Sequence, residues 1–165
     1  MLVTDSALPL SQDHIAAIGR VTAYFSLLEQ HANVLIADLL ELKTRDDVIS
    51  VTAHMNASSK IQLIKTLGST KLKDRKDLNE LLTEAITDLE TANRERNNIV
   101  HAHWYYYSPS KNESGRLKRT ARGVIKTELE GYTPDQINAI ATHIFHATGK
   151  IQQFLMKKNG ALHFG

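Results

Sequence analysis

The feature that most constrains the fold is a long series of apolar residues spaced three and four positions apart near the N-terminus. Its members are Ile18, Val21, Phe25, Leu28, Ala32, Leu35, Leu39 and Leu42. This spacing places the side chains on one stripe of an α-helix, and a stripe of this length needs partner helices to bury it. The sequence therefore predicts a helical bundle whose first long helix begins after an N-cap at Ser11.

Three further segments carry helical patterns. Residues 46–56 are predicted to form a short helix, and the segment SKIQLIKTLG to form another, capped by Ser58 or Ser59 and ended by Gly68. A second long helix has its apolar stripe at Leu78, Leu82, Ala85, Leu89 and Ala92. The last helix begins at Thr133-Pro134-Asp135, a strong start signal, and its apolar positions are Ile137, Ile140, Ile144, Ala147, Ile151 and Leu155.

The segment after Trp104 has a different pattern. Its aromatic run is typical of a β-strand, the stretch SPSKNESG is typical of a hairpin loop, and 117–129 alternates in part. Regular alternation would turn Trp104 and Tyr106 to one face and Tyr105 and Tyr107 to the other. The predicted fold class is all-α, a four- to five-helix up-down bundle with a small β-hairpin insertion around 104–129. One domain is predicted over residues 1–165.

Composition narrows the function classes. The chain has no cysteine, which excludes disulfides, thiolate metal sites and thiol nucleophiles. Twenty basic against 18 acidic residues give a net charge of +2, which neither requires nor excludes nucleic acid. The N-terminus lacks the features of a secretory signal, and the apolar runs are too short to span a bilayer. We therefore expect a cytoplasmic protein without membrane contact.

The end of the second long helix, RERNNIVHAHWYYY from Arg94 to Tyr107, concentrates polar chemistry. Arg96 continues the apolar stripe toward Ile99 and His103, and a charge on the packed side of a helix needs a carboxylate, a phosphate or a wet interface. The spacing leaves two sets open, Arg94–Asn97–His101 and Arg96–His103. Arg96 and His101 lie about 7.5 Å apart along a helix axis, within reach of an arginine side chain.

The hexapeptide Arg96–His101, RNNIVH, resembles the R-x(4–6)-H signature of HEPN domains, with a polar residue directly after the arginine. The setting is similar as well, because in that family the motif lies near the end of a long helix. The resemblance implies an all-α bundle that dimerises through its motif-bearing faces. It also implies a metal-independent endoribonuclease without cofactor, in defence or stress response, with Arg96, Asn97 and His101 at a composite cleft.

The chemistry suits these residue types. Histidine can take or give a proton near neutral pH, and the guanidinium fork stabilises charge on a phosphate without a metal. The further candidates for substrate binding are Arg94, His103, Tyr105 and Arg119. The sequence leaves open whether His101 or His103 is the acid/base, and the motif favours His101.

Several alternatives accompany this hypothesis. The same fold could be a non-catalytic HEPN-like module that binds RNA, nucleotide or a protein, and Arg96 could pair with Glu29 or Asp38. HEPN toxins silenced by a nucleotidyltransferase antitoxin carry a tyrosine two residues after the histidine. His103 occupies that position here, which argues against such a partner without excluding it.

Two other sequence patterns suggest binding sites, one for nucleic acid and one for metal. The aromatic run beside a basic hairpin resembles a base-stacking and phosphate-binding surface, with cations at Lys111, Arg116, Lys118, Arg119, Arg122 and Lys126. The histidine pairs His101/His103 and His143/His146 each offer two metal ligands, but zinc takes three or four. No metal site is predicted.

Overall fold

The computed structural model of the protein describes residues 9–122 and 124–160, without the side chains of residues 119–126. Within this described part the chain is mostly helical, with one small antiparallel sheet. The elements in chain order are α1 (Gln12–Leu40), α2 (Arg45–Thr52), α3 (Ala57–Lys71), α4 (Lys76–Val100), β1 (His103–Ser108), β2 (Glu113–Arg122), β3 (Val124–Tyr132) and α5 (Pro134–Asn159). No helix of the described part is long and apolar enough to cross a membrane.

The predicted stripe of the first helix is confirmed. Six of its members are at most 5% exposed: Val21, Phe25, Leu28, Ala32, Leu35 and Leu39. Ile18 is only half-buried, and Leu42 lies beyond the end of α1 at Leu40. Ser11 is confirmed as a cap, since its Oγ accepts a hydrogen bond from the backbone N–H of His14 at 3.4 Å.

The chain divides into two compact units. The helical unit comprises residues 24–94 and 143–165, and the sheet unit comprises residues 1–23 and 95–142. In the helical unit, α3 and α4 run antiparallel, with Lys65 bound to Glu90 at 2.6 Å and Asn93 to Ser58 at 3.3 Å. The single domain predicted over the whole chain stays a prediction.

Helices α1 and α5 run parallel within the helical unit. Gln152 of α5 contacts His31 of α1 at 3.1 Å. About two turns further along both helices, Lys158 of α5 contacts Asp38 of α1 at 2.8 Å. The step between these two contacts is seven residues on α1 and six on α5, in the same chain direction, which fixes the parallel arrangement.

Both predicted ends of α3 are wrong. The N-cap is Asn56, whose side chain accepts from the N–H of Ser59 at 2.9 Å, rather than Ser58 or Ser59 themselves. The helix also continues past Gly68 to Lys71. Gly68 is buried against the side chain of Leu82, where a Cβ would have no room. This glycine serves helix packing instead of helix termination.

The sheet has three antiparallel strands in the order β1-β2-β3, which is compatible with the predicted small β-hairpin and adds one strand to it. The segment 117–129 forms parts of two paired strands, and Arg122 is the partner of Val124 in their ladder. The start of α5 is as predicted. Thr133 Oγ1 accepts from the N–H of Gln136 at 3.3 Å, and the Gln136 side chain accepts from the N–H of Thr133 at 2.8 Å.

A β-bulge changes the predicted faces of the aromatic run. Trp104 pairs with Arg116 and Tyr106 pairs with Gly115, so the register shifts at Tyr105. Because neighbouring residues of β2 point to opposite faces, Trp104 and Tyr106 also lie on opposite faces. Trp104 instead shares its face with Tyr107, contrary to the prediction.

The inner face of the sheet is the one that carries Trp104 and Tyr107. The Tyr107 ring contacts the ring of buried His14 edge-on at 5.8 Å, and the Trp104 ring contacts Tyr132 edge-on at 6.2 Å. Both contacts lie within the sheet unit. They show that this face of the sheet is packed.

Arg116 also lies on the inner face and is 6% exposed. Its Nε and NH2 groups donate to Oε2 of Glu130 at 3.1 and 2.5 Å, and its NH1 group donates to the backbone carbonyl of Asn98 at 2.7 Å. Lys118 donates to the other oxygen of Glu130 at 2.7 Å. Two cations of the predicted phosphate-binding hairpin are thus paired with Glu130; Arg116 is buried, Lys118 is partly exposed, and Arg116 ties the sheet to the last turn of α4.

We expect Glu130→Gln to destabilise the fold in a pH-dependent way. The hydrogen bond from Lys118, followed by the contacts from Arg116, lowers the pKa of the Glu130 carboxyl, although partial burial opposes this shift. The ionised carboxylate therefore stabilises the folded state at pH values above the ordinary glutamate pKa, and this contribution is lost as the pH falls through the lowered value. Urea unfolding should show a loss of about 2 kcal/mol at pH 7.

The difference between Glu130→Gln and the natural protein should shrink as the pH drops into the acid range. Glu128→Gln, at an exposed carboxylate two residues away on the same strand, is the matched control and should change stability little. An equal loss of stability for Glu130→Gln at neutral and acid pH would contradict this assignment.

Candidate functional site

The last turn of α4 brings three predicted residues together. Arg96 is half-buried, whereas Asn97 and His101 are exposed. The NH1 group of Arg96 donates to Oδ1 of Asn97 at 2.9 Å and lies 2.9 Å from Nε2 of His101. Of the two sets that the sequence left open, neither forms as written, and the structure instead joins Arg96, Asn97 and His101.

Helix geometry explains this meeting. α4 ends at Val100, and the chain keeps its helical hydrogen bond for one more residue, with the N–H of His101 bonded to the carbonyl of Asn97 at 3.3 Å. Ile99, in the middle of this turn, is fully buried and fixes its orientation. The long arginine side chain spans the five residues to the imidazole, as the sequence predicted.

The contact between Arg96 and His101 defines a protonation state. A guanidinium group only donates hydrogen bonds, so Nε2 of His101 must be the acceptor. The imidazole in this geometry is therefore neutral and carries its proton on Nδ1. Asn97 accepts from the same NH1 group, so it orients the arginine rather than the histidine.

His103 does not belong to this helix, which corrects the predicted Arg96–His103 face. It is the first residue of β1, pairs with Leu117 and is exposed. The apolar stripe of α4 therefore ends with Ile99, because the helix stops before the next position is reached.

The remaining substrate-binding candidates lie on three different elements, α4, β1 and β2. Arg94 belongs to the helical unit, is exposed, and donates to Oγ1 of Thr91 at 3.4 Å. Tyr105 lies at the bulge of β1 with 62% of its surface exposed. Arg119 lies in β2 opposite Thr127, and its side chain lies outside the described part of the structure.

The carboxylates considered as partners of Arg96 have lysine partners. Glu29 lies 3.5 Å from the ammonium group of Lys60, and Asp38 lies 2.8 Å from that of Lys158. Both pairs belong to the helical unit. Their role is to link α1 with α3 and with α5.

One histidine that the sequence analysis did not single out is buried. Nε2 of His14 lies 2.9 Å from the carbonyl oxygen of Tyr132, and Nδ1 lies 2.7 Å from Oγ of Ser11. With both nitrogens engaged, His14 is a structural residue of the sheet unit. Among the residues that the structure describes, no three His, Asp or Glu side chains lie close enough together to hold a metal ion.

Sequence reasoning also missed two pairings that shape the surroundings of the site. These are the Arg116–Glu130 ion pair and the Tyr106 ring lying over Gly115. Both depend on strand register: the β2–β3 ladder pairs Arg116 with Glu130, and the bulge at Tyr105 in the β1–β2 ladder brings Tyr106 opposite Gly115. The sequence signal available was the glycine itself, since a glycine inside a strand often marks a close approach.

We expect NMR to find the neutral side chain of His101 protonated at Nδ1. The physical reason is the hydrogen bond that Nε2 accepts from Arg96. Long-range proton–nitrogen correlation spectra distinguish the two tautomers. In Arg96→Leu, which extends the apolar stripe of α4, the Nδ1 preference should be lost, while the exposed His103 should keep its signals. A natural protein with His101 protonated at Nε2 would contradict the geometry.

Comparisons of the chain with protein-family models, with curated proteins and with solved structures gave no match. The HEPN resemblance of the sequence motif therefore stays an expectation.

Proposed function

We propose that the protein is a HEPN-like, metal-independent endoribonuclease that acts as a homodimer. The observation that carries this proposal is the 2.9 Å contact between Arg96 and Nε2 of His101 at an exposed helix end. It joins a group that can move a proton to a group that can hold a phosphate. The place of the enzyme in defence or stress response rests on the resemblance alone.

The proposed reaction begins when RNA phosphate attracts the guanidinium of Arg96 and frees Nε2 of His101. The imidazole then takes the proton of the ribose 2′-hydroxyl, whose oxygen attacks the adjacent phosphorus. The new P–O2′ bond forms as the P–O5′ bond breaks. The products are a 2′,3′-cyclic phosphate and a 5′-hydroxyl. In the transition state, Arg96 stabilises the extra negative charge on the oxygens bound to phosphorus.

A homodimer supplies the second proton carrier. The leaving 5′-oxygen needs a proton while the 2′-oxygen loses one, and one imidazole in the neutral form cannot do both at once. A second protomer across a two-fold axis brings another His101 and Arg96 to the same cleft. In the active dimer one His101 is neutral and takes the 2′-proton, while the other is protonated and gives its proton to the leaving 5′-oxygen. Each protomer then contributes half of the site.

The second candidate function is a non-catalytic module that binds RNA, nucleotide or a protein. One feature of the same contact favours this second function. Arg96 is hydrogen-bonded to Nε2 of His101, the nitrogen that must act as the base in catalysis. If substrate does not displace the arginine, the site binds phosphate without moving a proton.

We expect the purified protein to cleave single-stranded RNA in the presence of EDTA. His101→Ala should lower the rate by about 10²-fold or more, because general acid–base catalysis contributes that much. Arg96→Leu should also lower it strongly, and His54→Ala, at an exposed histidine of the helical unit, is the matched control that should keep most of the activity. Gel analysis of labelled RNA measures the rate, and a 2′-deoxy substitution at the cut site should block cleavage.

Two results would contradict the ribonuclease proposal. One is equal cleavage by the natural protein and His101→Ala, which would point to a contaminating nuclease. The other is RNA binding without cleavage under all metal-free conditions, which would favour the binding module. Analytical ultracentrifugation should find a dimer, and a monomer at the active concentration would contradict the composite cleft.

A further inference from the structure

The backbone hydrogen bonds at the end of α4 leave one carbonyl group without its helical donor. In a regular α-helix, the carbonyl of Asn98 would accept from the N–H of Ala102, four residues further on. The N–H of Ala102 instead donates to the carbonyl of Ile99 at 3.3 Å. Carbonyl groups left over at a helix end take their donors from side chains, water or ligands.

Arg116 supplies the missing donor from β2. Its NH1 group donates to the Asn98 carbonyl at 2.7 Å, whereas the backbone bonds of His101 and Ala102 to the same turn are 3.3 Å long. A hydrogen bond from a charged donor is also stronger than one between neutral groups, and the helix dipole favours a cation at this end. Arg116 is therefore the C-terminal cap of α4.

The guanidinium of this cap is held on its other side as well. Nε and NH2 of Arg116 donate to Oε2 of Glu130 at 3.1 and 2.5 Å, and the group lies 5.5 Å from the ring centre of Tyr132. Both partners belong to β3, and Arg116 is only 6% exposed. The donor that reaches Asn98 thus has a fixed direction, set by two strands of the sheet.

The capped turn is the one that carries the candidate site. Asn98 lies between Arg96 and His101, whose side chains meet at 2.9 Å. Ile99 also holds this turn, because its side chain is fully buried. An apolar contact has no preferred direction, however, so this burial alone does not set the angle at which the chain continues to His101. The hydrogen bond from Arg116 does have a direction.

We propose that Arg116 is a positioning residue of the candidate site: by capping α4 at Asn98, it holds the imidazole of His101 where Nε2 accepts the hydrogen bond from Arg96. Arg116 acts through the backbone and makes no contact with the RNA in the proposed reaction. The catalytic consequence rests on the proposed function, whereas the effect on the tautomer of His101 does not. The sheet thereby closes the end of the helix on which the site lies.

Long-range proton–nitrogen correlation spectra of the full-length protein test this assignment. In Arg116→Met the Asn98 carbonyl has no donor from the sheet, while Lys118 still donates to Glu130. His101 should lose its preference for protonation at Nδ1, as in Arg96→Leu, because its imidazole is no longer held against the guanidinium of Arg96.

His14 is the internal control for the folding of the sheet unit. Its Nε2 lies 2.9 Å from the carbonyl oxygen of Tyr132, and because a carbonyl only accepts, this nitrogen must carry the proton. His14 should keep its protonation at Nε2 in Arg116→Met, since both of its own partners remain. A joint change at His14 and His101 would mean that Arg116 only holds the sheet together, and would overturn the positioning role.

Two further variants separate the cap from the charge. Arg116→Lys keeps the cation beside Glu130, but one ammonium group does not reproduce the fork that binds a carboxylate and a carbonyl together, so His101 should again lose its preference. Lys118→Met removes the other cation paired with Glu130 and leaves the cap in place, so His101 should keep its preference. If Arg116→Met does not fold, Arg116→Lys gives the result, and unfolding of both would also overturn the positioning role.

Cleavage of single-stranded RNA in EDTA measures the catalytic consequence. Arg116→Lys should lower kcat by up to about 10²-fold, the cost of a small misplacement of a catalytic group, with little change in KM. Glu128→Gln, at an exposed residue of β3, is the control and should leave kcat unchanged. An unchanged kcat in a variant whose His101 has lost its tautomer preference would contradict the catalytic role of His101.

The positioning role and the proposed function can fail separately. An unchanged tautomer of His101 in both Arg116 variants, or an equal change in Lys118→Met, would overturn the positioning role and leave the ribonuclease standing. Absence of RNA cleavage by the natural protein, with the tautomer of His101 altered in the Arg116 variants alone, would contradict the proposed function and leave the positioning role standing.

Discussion

The sheet unit depends on the burial of one cation, Arg116. A charge removed from water is strongly unfavourable unless its donors are satisfied, and this guanidinium meets the Glu130 carboxylate, the carbonyl of Asn98 and, at 5.5 Å, the ring of Tyr132. The Asn98 carbonyl is among the last of α4, where a cation is favoured by the helix dipole. One side chain thus joins β2, β3 and the end of α4.

That constraint has consequences for the candidate site. His101 follows the end of α4 directly, and β1 begins two residues later at His103. His101 and the first strand of the sheet therefore leave the same anchored turn. A short connection of this kind leaves little freedom between His101 and the first residue of the sheet. The bulge at Tyr105 then decides which aromatic rings are packed inside and which face outward.

Local rules predicted the helices well and their exact ends less well. Periodicity found the stripes of α1, α4 and α5, and the cap at Thr133 followed from its neighbours. Gly68 was misread because packing against Leu82, a residue distant in sequence, explains it better than helix termination does. The sheet was the weakest prediction, since strand pairing and a bulge are non-local and leave little trace in the order of residues. The dimer, the RNA and the catalytic roles stay predictions.

The sequence by itself determined that the protein is mostly helical, that Arg96 lies at a half-buried position near a helix end, and that it can reach His101. These properties follow from the repeat of an α-helix, which acts over a few residues. Only the tertiary structure decided that His103 is a strand residue, that Arg116 is an internal ion-pair partner, and that Tyr106 faces away from Trp104. Each of these depends on which distant residue becomes a neighbour, and that choice is made by burial of charge and by strand register across the whole unit.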